Sequence, residues 1–143
     1  MRTRADVGAT HSDLDASALL AYLQGEPGSA TVEAALAAGA VISIVNYAEV
    51  LLRLADAGED PATANHRLSE QGLIGGLLEV VPLTEEDAVV TAQLRTSTRV
   101  HGLSLGDRAC LATGLRFSGP VLTADRTWAL LDVGVIVQLI RQP

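Results

Sequence analysis

Four acidic residues, Asp15, Glu49, Asp107 and Asp125, each stand where an apolar stretch gives way to a helix-like one. In an open α/β sheet, side chains at such junctions meet in the crevice beyond the carboxyl ends of the strands. Four carboxylates brought together repel, and keeping them ionised needs a counter-charge. A hard divalent cation with oxygen ligands supplies one, and Mg2+ is the natural candidate. The same residues also have a purely local use. Asp15 and Asp125 can cap the helices that follow them, while Asn46-x-x-Glu49 and Ser104-x-x-Asp107 have capping-box spacing. Capping alone does not require all four to lie at one edge of one sheet, whereas parallel topology places them there. Ser17 and Thr123, two residues from Asp15 and Asp125 respectively, put hydroxyls within reach of the cluster. They can hold a metal-bound water or a phosphate oxygen, or serve as ordinary helix-end residues.

Positioning these groups falls to Ala-rich helical patterns that alternate with short β-branched runs, the mark of a parallel α/β sheet. The pattern predicts a helix over Ala16–Leu23, ended by the Gln24-Gly25-Glu26-Pro27-Gly28 breaker, and a second over Ala30–Ala38 with Ser29 as N-cap. Val41–Val45 reads as a strand buried on both faces, followed by a helix over Tyr47–Ala57. Asp60-Pro61 opens a helix to Gln71, Glu79–Leu83 is a strand, and Thr84-Glu85-Glu86-Asp87 starts a long helix. A helix over Asp107–Phe117, a strand over Val121–Thr123, a short helix over Thr127–Leu131 and a strand over Val133–Ile140 complete about five strands and seven helices. The segment leading to the first acid is polar for a strand, Ala9-Thr10-His11-Ser12-Asp13-Leu14. With a period of two, Asp13 faces the same side as Asp15 but deeper, where an unpaired carboxylate is costly. Either this strand is short and frayed or Asp13 joins the polar cluster.

At 143 residues and 48% apolar, the chain has the length of one domain with a proper core, and no apolar run approaches a membrane span. Residues 1–12 lack the apolar region of a secretory signal, and residues 1–7 read as a disordered extension. The lone cysteine, Cys110, fits a small core residue in a reducing cytoplasm. The net charge of −7 is unevenly spread: residues 1–94 hold four arginines and fourteen acids, residues 95–143 six arginines and three acids. The C-terminal third can therefore present a basic rim around an acidic centre, or scattered solvated charge. The complete absence of lysine removes several phosphate chemistries. An aspartyl-phosphate phosphatase, suggested by Asp13-x-Asp15, and a phospho-accepting receiver domain both use a lysine to balance phosphoryl charge, and a Walker-type site needs one outright. Four aromatics (one Trp, two Tyr, one Phe) are too few for a base-stacking platform.

Four segments resemble the motifs of PIN-domain nucleases, especially the VapC-type toxins of bacterial toxin–antitoxin pairs. They are Leu14-Asp15-Ala16-Ser17-Ala18-Leu19-Leu20-Ala21, Val45-Asn46-Tyr47-Ala48-Glu49-Val50, the run from Gly102 to Ala112 that carries Ser104-Leu105-Gly106-Asp107-Arg108, and Pro120-Val121-Leu122-Thr123-Ala124-Asp125-Arg126-Thr127-Trp128. The resemblance spans about Leu14 to Arg141 and implies a three-layer PIN fold and Mg2+- or Mn2+-dependent endoribonuclease activity. Asp15, Glu49, Asp107 and Asp125 would be the acidic quartet, Asp15 and Asp107 the best-placed metal ligands, with Ser17, Asn46 and Thr123 in support. Arg126 and Arg108 each follow an acid and can steady a substrate phosphate, solvated surface being the better reading of Arg108. The resemblance further implies a cognate VapB-type antitoxin and a homodimer. Val50-Leu51-Leu52-x-Leu54 and the Gly72–Leu78 stretch supply either a groove for an amphipathic antitoxin helix or simply core. The alternative is a catalytically inactive PIN domain that only binds a partner. His11, His66 and His101 show no metal-ligand spacing, and His101 reads as a loop histidine rather than a general base.

Overall fold

The computed structural model describes residues 11–141; the expected extension 1–7 and the start of the polar first segment, Ala9 and Thr10, lie outside the described residues. Five strands form one all-parallel sheet in the order β3-β2-β1-β4-β5. In chain order they are β1 Ser12–Leu14, β2 Ala40–Ser43, β3 Leu78–Val81, β4 Val121–Thr123 and β5 Val137–Leu139. Between them run α1 Ala16–Leu23, α2 Ser29–Ala37, α3 Ile44–Asp56, α4 Pro61–Glu70, α5 Glu85–Thr98 and α6 Leu105–Phe117, with 3-10 turns at Arg99–His101 and Arg126–Leu130. The order reverses between β1 and β4, so the chain leaves the central strand first toward β2 and β3 and later toward β4 and β5. A crevice opens at the carboxyl ends of such strands where the winding reverses.

Side chains alternate across the sheet as a period of two demands. Leu14, Ile42, Leu78 and Leu122 join a core with Leu19, Leu36, Val50 and Leu68 from α1 to α4. On the opposite face Val121 packs with Leu94, Cys110, Leu111 and Trp128, and Val41 packs with Val81 and Phe117. Cys110 is the buried helical core residue its sequence context suggests. The apolar residues expected to offer an antitoxin groove divide: Val50, Leu54, Leu73 and Leu78 are core, while Leu52 and Leu77 are exposed.

Several element boundaries differ from the expected ones for identifiable reasons. The strand expected over Val41–Val45 ends at Ser43, because the Ser43 hydroxyl caps the next helix by accepting from the Asn46 N–H at 3.0 Å. Ile44 and Val45, β-branched but helical, therefore belong to α3, and Asn46-x-x-Glu49 is no capping box. Ser29 is the first residue of α2 rather than its cap; Gly28 occupies the cap position at φ 98°. A Cβ there would lie 2.8 Å from the Ile140 carbonyl oxygen. The third strand stops at Val81 because Pro82 cannot donate to the ladder. The last strand shortens from Val133–Ile140 to Val137–Leu139 since β4 offers only three residues to pair with. The helix of the third acid begins at Leu105, two residues early, with Ser104 as its cap. The short helix expected over Thr127–Leu131 is a 3-10 turn over Arg126–Leu130.

Candidate active site

Asp15, Glu49, Asp107 and Asp125 line one cavity of about 190 Å3 at the carboxyl edge of the sheet. Each arrives on a different element. Asp15 follows β1 and caps α1, its Oδ1 accepting from the Ala18 N–H at 2.8 Å. Glu49 sits in the second turn of α3. Asp107 lies in the first turn of α6, and its Oδ2 accepts from the Ser104 N–H at 3.0 Å while its own N–H donates to Ser104 Oγ at 3.1 Å. Asp125 follows β4 and caps the 3-10 turn, its Oδ1 accepting from the Thr127 N–H at 3.0 Å and the Thr127 hydroxyl at 2.8 Å. Two of the four, Asp15 and Asp125, are thus helix caps and a third, Asp107, closes a capping box with Ser104, yet all converge on one cavity, so the two readings of the sequence are not exclusive.

The supporting residues turn out to hold the acids. Thr123 Oγ1 donates to Asp15 Oδ2 at 2.6 Å and accepts from the Asp125 N–H at 3.0 Å. Ser17 Oγ donates to Asp15 Oδ1 at 2.7 Å and accepts from the Ala124 N–H at 2.9 Å. Both hydroxyls, readable as contacts for a water or phosphate oxygen or as helix-end residues, fix Asp15 between α1 and the end of β4. Asn46 does the same for Glu49: its Nδ2 donates to Glu49 Oε1 at 2.8 Å and to the Gly106 carbonyl at 3.0 Å, joining α3 to α6. Gly106 matters for the same approach, because a Cβ on it would stand 2.6 Å from Glu49 Oε1. Its signal in the sequence is a glycine one position before Asp107 in the first turn of a helix, a place with no helical reason for one.

Burial governs the electrostatics. It pushes the Asp15 carboxyl up from 3.8 to about 6, against its hydrogen bonds to Thr123, Ser17 and Ala18, and the neighbouring Asp107 pushes the same way. Asp13 is fully buried on the α6 face, in register with Val41 and Val121, and lies beneath the cavity rather than in its lining. Burial drives its carboxyl well above the usual range, although Cys110 Sγ, 3.5 Å from Oδ2, pulls the other way. Among the described residues its Oδ1 accepts no hydrogen bond. The first strand is therefore short but not frayed: the Asp13 N–H donates to the Pro120 carbonyl at 2.9 Å and the Asp15 N–H to the Leu122 carbonyl at 3.1 Å.

The arginines of the C-terminal third, readable as a basic rim or as scattered solvated charge, stay out of the lining. None of the six arginines in 95–143 lines the cavity, Arg126 included; Arg126 is exposed and Arg108 donates to the Ser104 carbonyl at 3.4 Å. Arg53, from the acidic part of the chain, does line it, as do Leu20 and Trp128. His101 is outside the lining, and His66 is exposed beside Glu70.

The donor set fits a hard divalent cation in type and charge. Among the described residues no arginine or histidine forms an ion pair with any of the four acids, and Glu49 Oε2, Asp107 Oδ1 and Asp125 Oδ2 carry no hydrogen bond. As they stand, no three His, Cys, Asp or Glu side chains among the described residues are gathered closely enough to hold an ion.

A doubly wound all-parallel sheet with an acidic cavity at its topological switch defines the class. The chain belongs to the PIN-domain family, whose profile matches residues 14–134. Solved structures of the same fold include FitAcB from Neisseria gonorrhoeae, with TM-score 0.67 and 23% identity over 88% of this chain and 95% of that one. DNA-bound VapBC from Salmonella typhimurium has TM-score 0.68 and 15% identity over 92% and 99%. A toxin–antitoxin complex from Klebsiella pneumoniae has TM-score 0.64 and 19% identity over 88% and 96%. No curated protein sequence matches the chain. Among the described residues no helix is long and apolar enough to cross a membrane.

Proposed function

We propose that this chain, as one PIN domain over 1–143, is a metal-dependent endoribonuclease and the toxin of a VapBC-type toxin–antitoxin pair. The observation that carries the reading is the convergence of four carboxylates, from four separate elements, on one cavity, with no pairing cation among the described residues. Mg2+ or Mn2+ bound there would offset their repulsion and promote attack of a water on a phosphodiester. Asp15 and Asp107 would be direct ligands, with Glu49 and Asp125 completing the set. Ser17 and Thr123 hold both oxygens of Asp15, so its carboxylate cannot rotate away as charge develops, and Asn46 orients Glu49. No side chain has to form a covalent intermediate. The toxin reading draws on family membership and on the toxin–antitoxin complex among structures of this fold. It brings with it a VapB-type antitoxin, a homodimer and a cytoplasmic setting, with exposed Leu52 and Leu77 available to a partner.

The test is incubation of the purified chain with single-stranded RNA across a titration of Mg2+ and Mn2+, then with excess chelator. Cleavage that rises with metal and stops with chelator is expected. RNA that survives every metal concentration, with the chain folded, would leave a partner-binding PIN domain as the better reading.

A further inference from the structure

Among the described residues Arg53 is the one basic side chain in the lining of the acidic cavity. It stands in the last turn of α3, four residues after Glu49. A glutamate followed at that spacing by a cation ordinarily pairs with it along the helix. Here the pair is not made, because Glu49 is held by Asn46 and leans over Gly106 toward α6. Other arginines are committed elsewhere: Arg67 to Glu59, Arg116 to Asp87 and Arg141 to Glu26. Arg95 and Arg108 line a separate apolar groove between α5 and α6. Arg53 is exposed and makes no hydrogen bond or ion pair among the described residues, so its whole donor fork is available beside four carboxylates.

We infer, on the nuclease reading above, that Arg53 binds a backbone phosphate of the RNA substrate at the mouth of the cavity. A phosphodiester approaching four carboxylates meets net repulsion even after one divalent cation is bound, since −4 is only half offset. A guanidinium at the rim supplies the missing attraction, and its planar fork matches two phosphate oxygens. The favourable position of a cation at a helix C-terminus accounts for an arginine in this turn. It does not account for one left unpaired four residues from a glutamate and within the lining of the site.

The experiment compares Arg53→Gln, Arg53→Lys and Arg67→Gln, each in the full chain. RNA binding is read by fluorescence anisotropy in an Asp107→Asn background, and cleavage in the otherwise native chain. Arg53→Gln should weaken binding by roughly tenfold, the loss of one charge-assisted contact. It should also lower the slope of log affinity against log salt by about 0.7, one phosphate contact on a single strand. In cleavage the loss should appear in KM, with kcat nearly unchanged. Arg53→Lys keeps the helix-end charge, guards against misfolding and should recover part of the binding; Arg67→Gln, outside the lining and paired with Glu59, should change neither quantity. Equal affinity and equal salt slope for Arg53→Gln and its parent would overturn the inference. Uncleaved RNA in the unsubstituted chain would instead count against the nuclease reading, and the binding arm would still decide Arg53.

Discussion

Helices α5 and α6 begin with the same device and use it differently. Thr84 and Asp87 exchange bonds at the start of α5, Asp87 Oδ2 accepting from the Thr84 N–H at 2.9 Å and Thr84 Oγ1 from the Asp87 N–H at 3.1 Å. Ser104 and Asp107 do the same at α6, at 3.0 and 3.1 Å. Asp87, however, is buried and paired with Arg116 at 2.9 Å, so its charge is settled within the fold. Asp107 is half-buried, pairs with no cation among the described residues, and lines a cavity that it shares with three other acids. A capping box therefore says nothing about function on its own. What separates the structural cap from the candidate ligand is whether the protein neutralises the carboxylate itself.

The most severe test of that distinction is Asp107→Asn against Asp87→Asn. If the carboxylate at α6 holds a cation, its loss should cut RNA cleavage by orders of magnitude per folded molecule with only a modest change in melting temperature. Asp15→Asn should behave likewise. Asp87→Asn should do the reverse, costing on the order of 2 kcal/mol for a weakened cap and a lost partner of Arg116 while sparing cleavage. Cleavage rate and melting temperature measured on the same preparations separate the two. Equal effects of the two substitutions on rate would erase the contrast.

A smaller effect, in stability rather than rate, concerns the cost of gathering charge that the protein does not neutralise. Asp15 has a folded pKa of about 6 against an ordinary 3.8. An acid whose pKa is raised by folding stabilises the fold while protonated, and that contribution is lost as pH rises from about 4 through 6. In chelator, then, Asp15→Asn should gain on the native chain between pH 4 and 7 by on the order of 3 kcal/mol, beyond any fixed cost to the cap. Asp13→Asn should move in the same direction, since burial raises that carboxyl too. Melting curves across the pH range that stay parallel for the native chain and Asp15→Asn would refute the burial account.

Much of this was legible in the sequence because it rests on local signals. Helix α1, strand β4 and the start of α4 fall where their apolar periods, Asp caps and Pro61 place them. The gathering of four acids at one edge followed from parallel topology alone. What was not legible depends on distant partners. Ile44 and Val45 look like strand, and only the Ser43 cap makes them helical. The tasks of Ser17 and Thr123 depend on how closely the end of β4 passes α1, a distance no local pattern encodes. Arg53 was missed because charge was read by its place along the chain, whereas the second turn of α3 carries Glu49, and the last turn Arg53, into the same cavity.

The finest test removes the two capping hydroxyls and leaves both carboxylates. Thr84→Ala and Ser104→Ala should each cost about 1 kcal/mol, the usual value of a lost N-cap. Each box is reciprocal, and the bond that positions the aspartate side chain comes from a backbone N–H, which neither substitution removes. Asp107 should therefore stay aimed at the cavity in Ser104→Ala, and cleavage per folded molecule should fall by no more than severalfold. Thr84→Ala should leave cleavage unchanged. Matched losses of stability with near-native cleavage in both would assign the cap to the hydroxyl and the chemistry to the carboxylate. A collapse of cleavage in Ser104→Ala without unfolding would mean that the hydroxyl of the α6 box belongs to the site itself, and the symmetry between the two helix starts would end one residue type earlier than proposed.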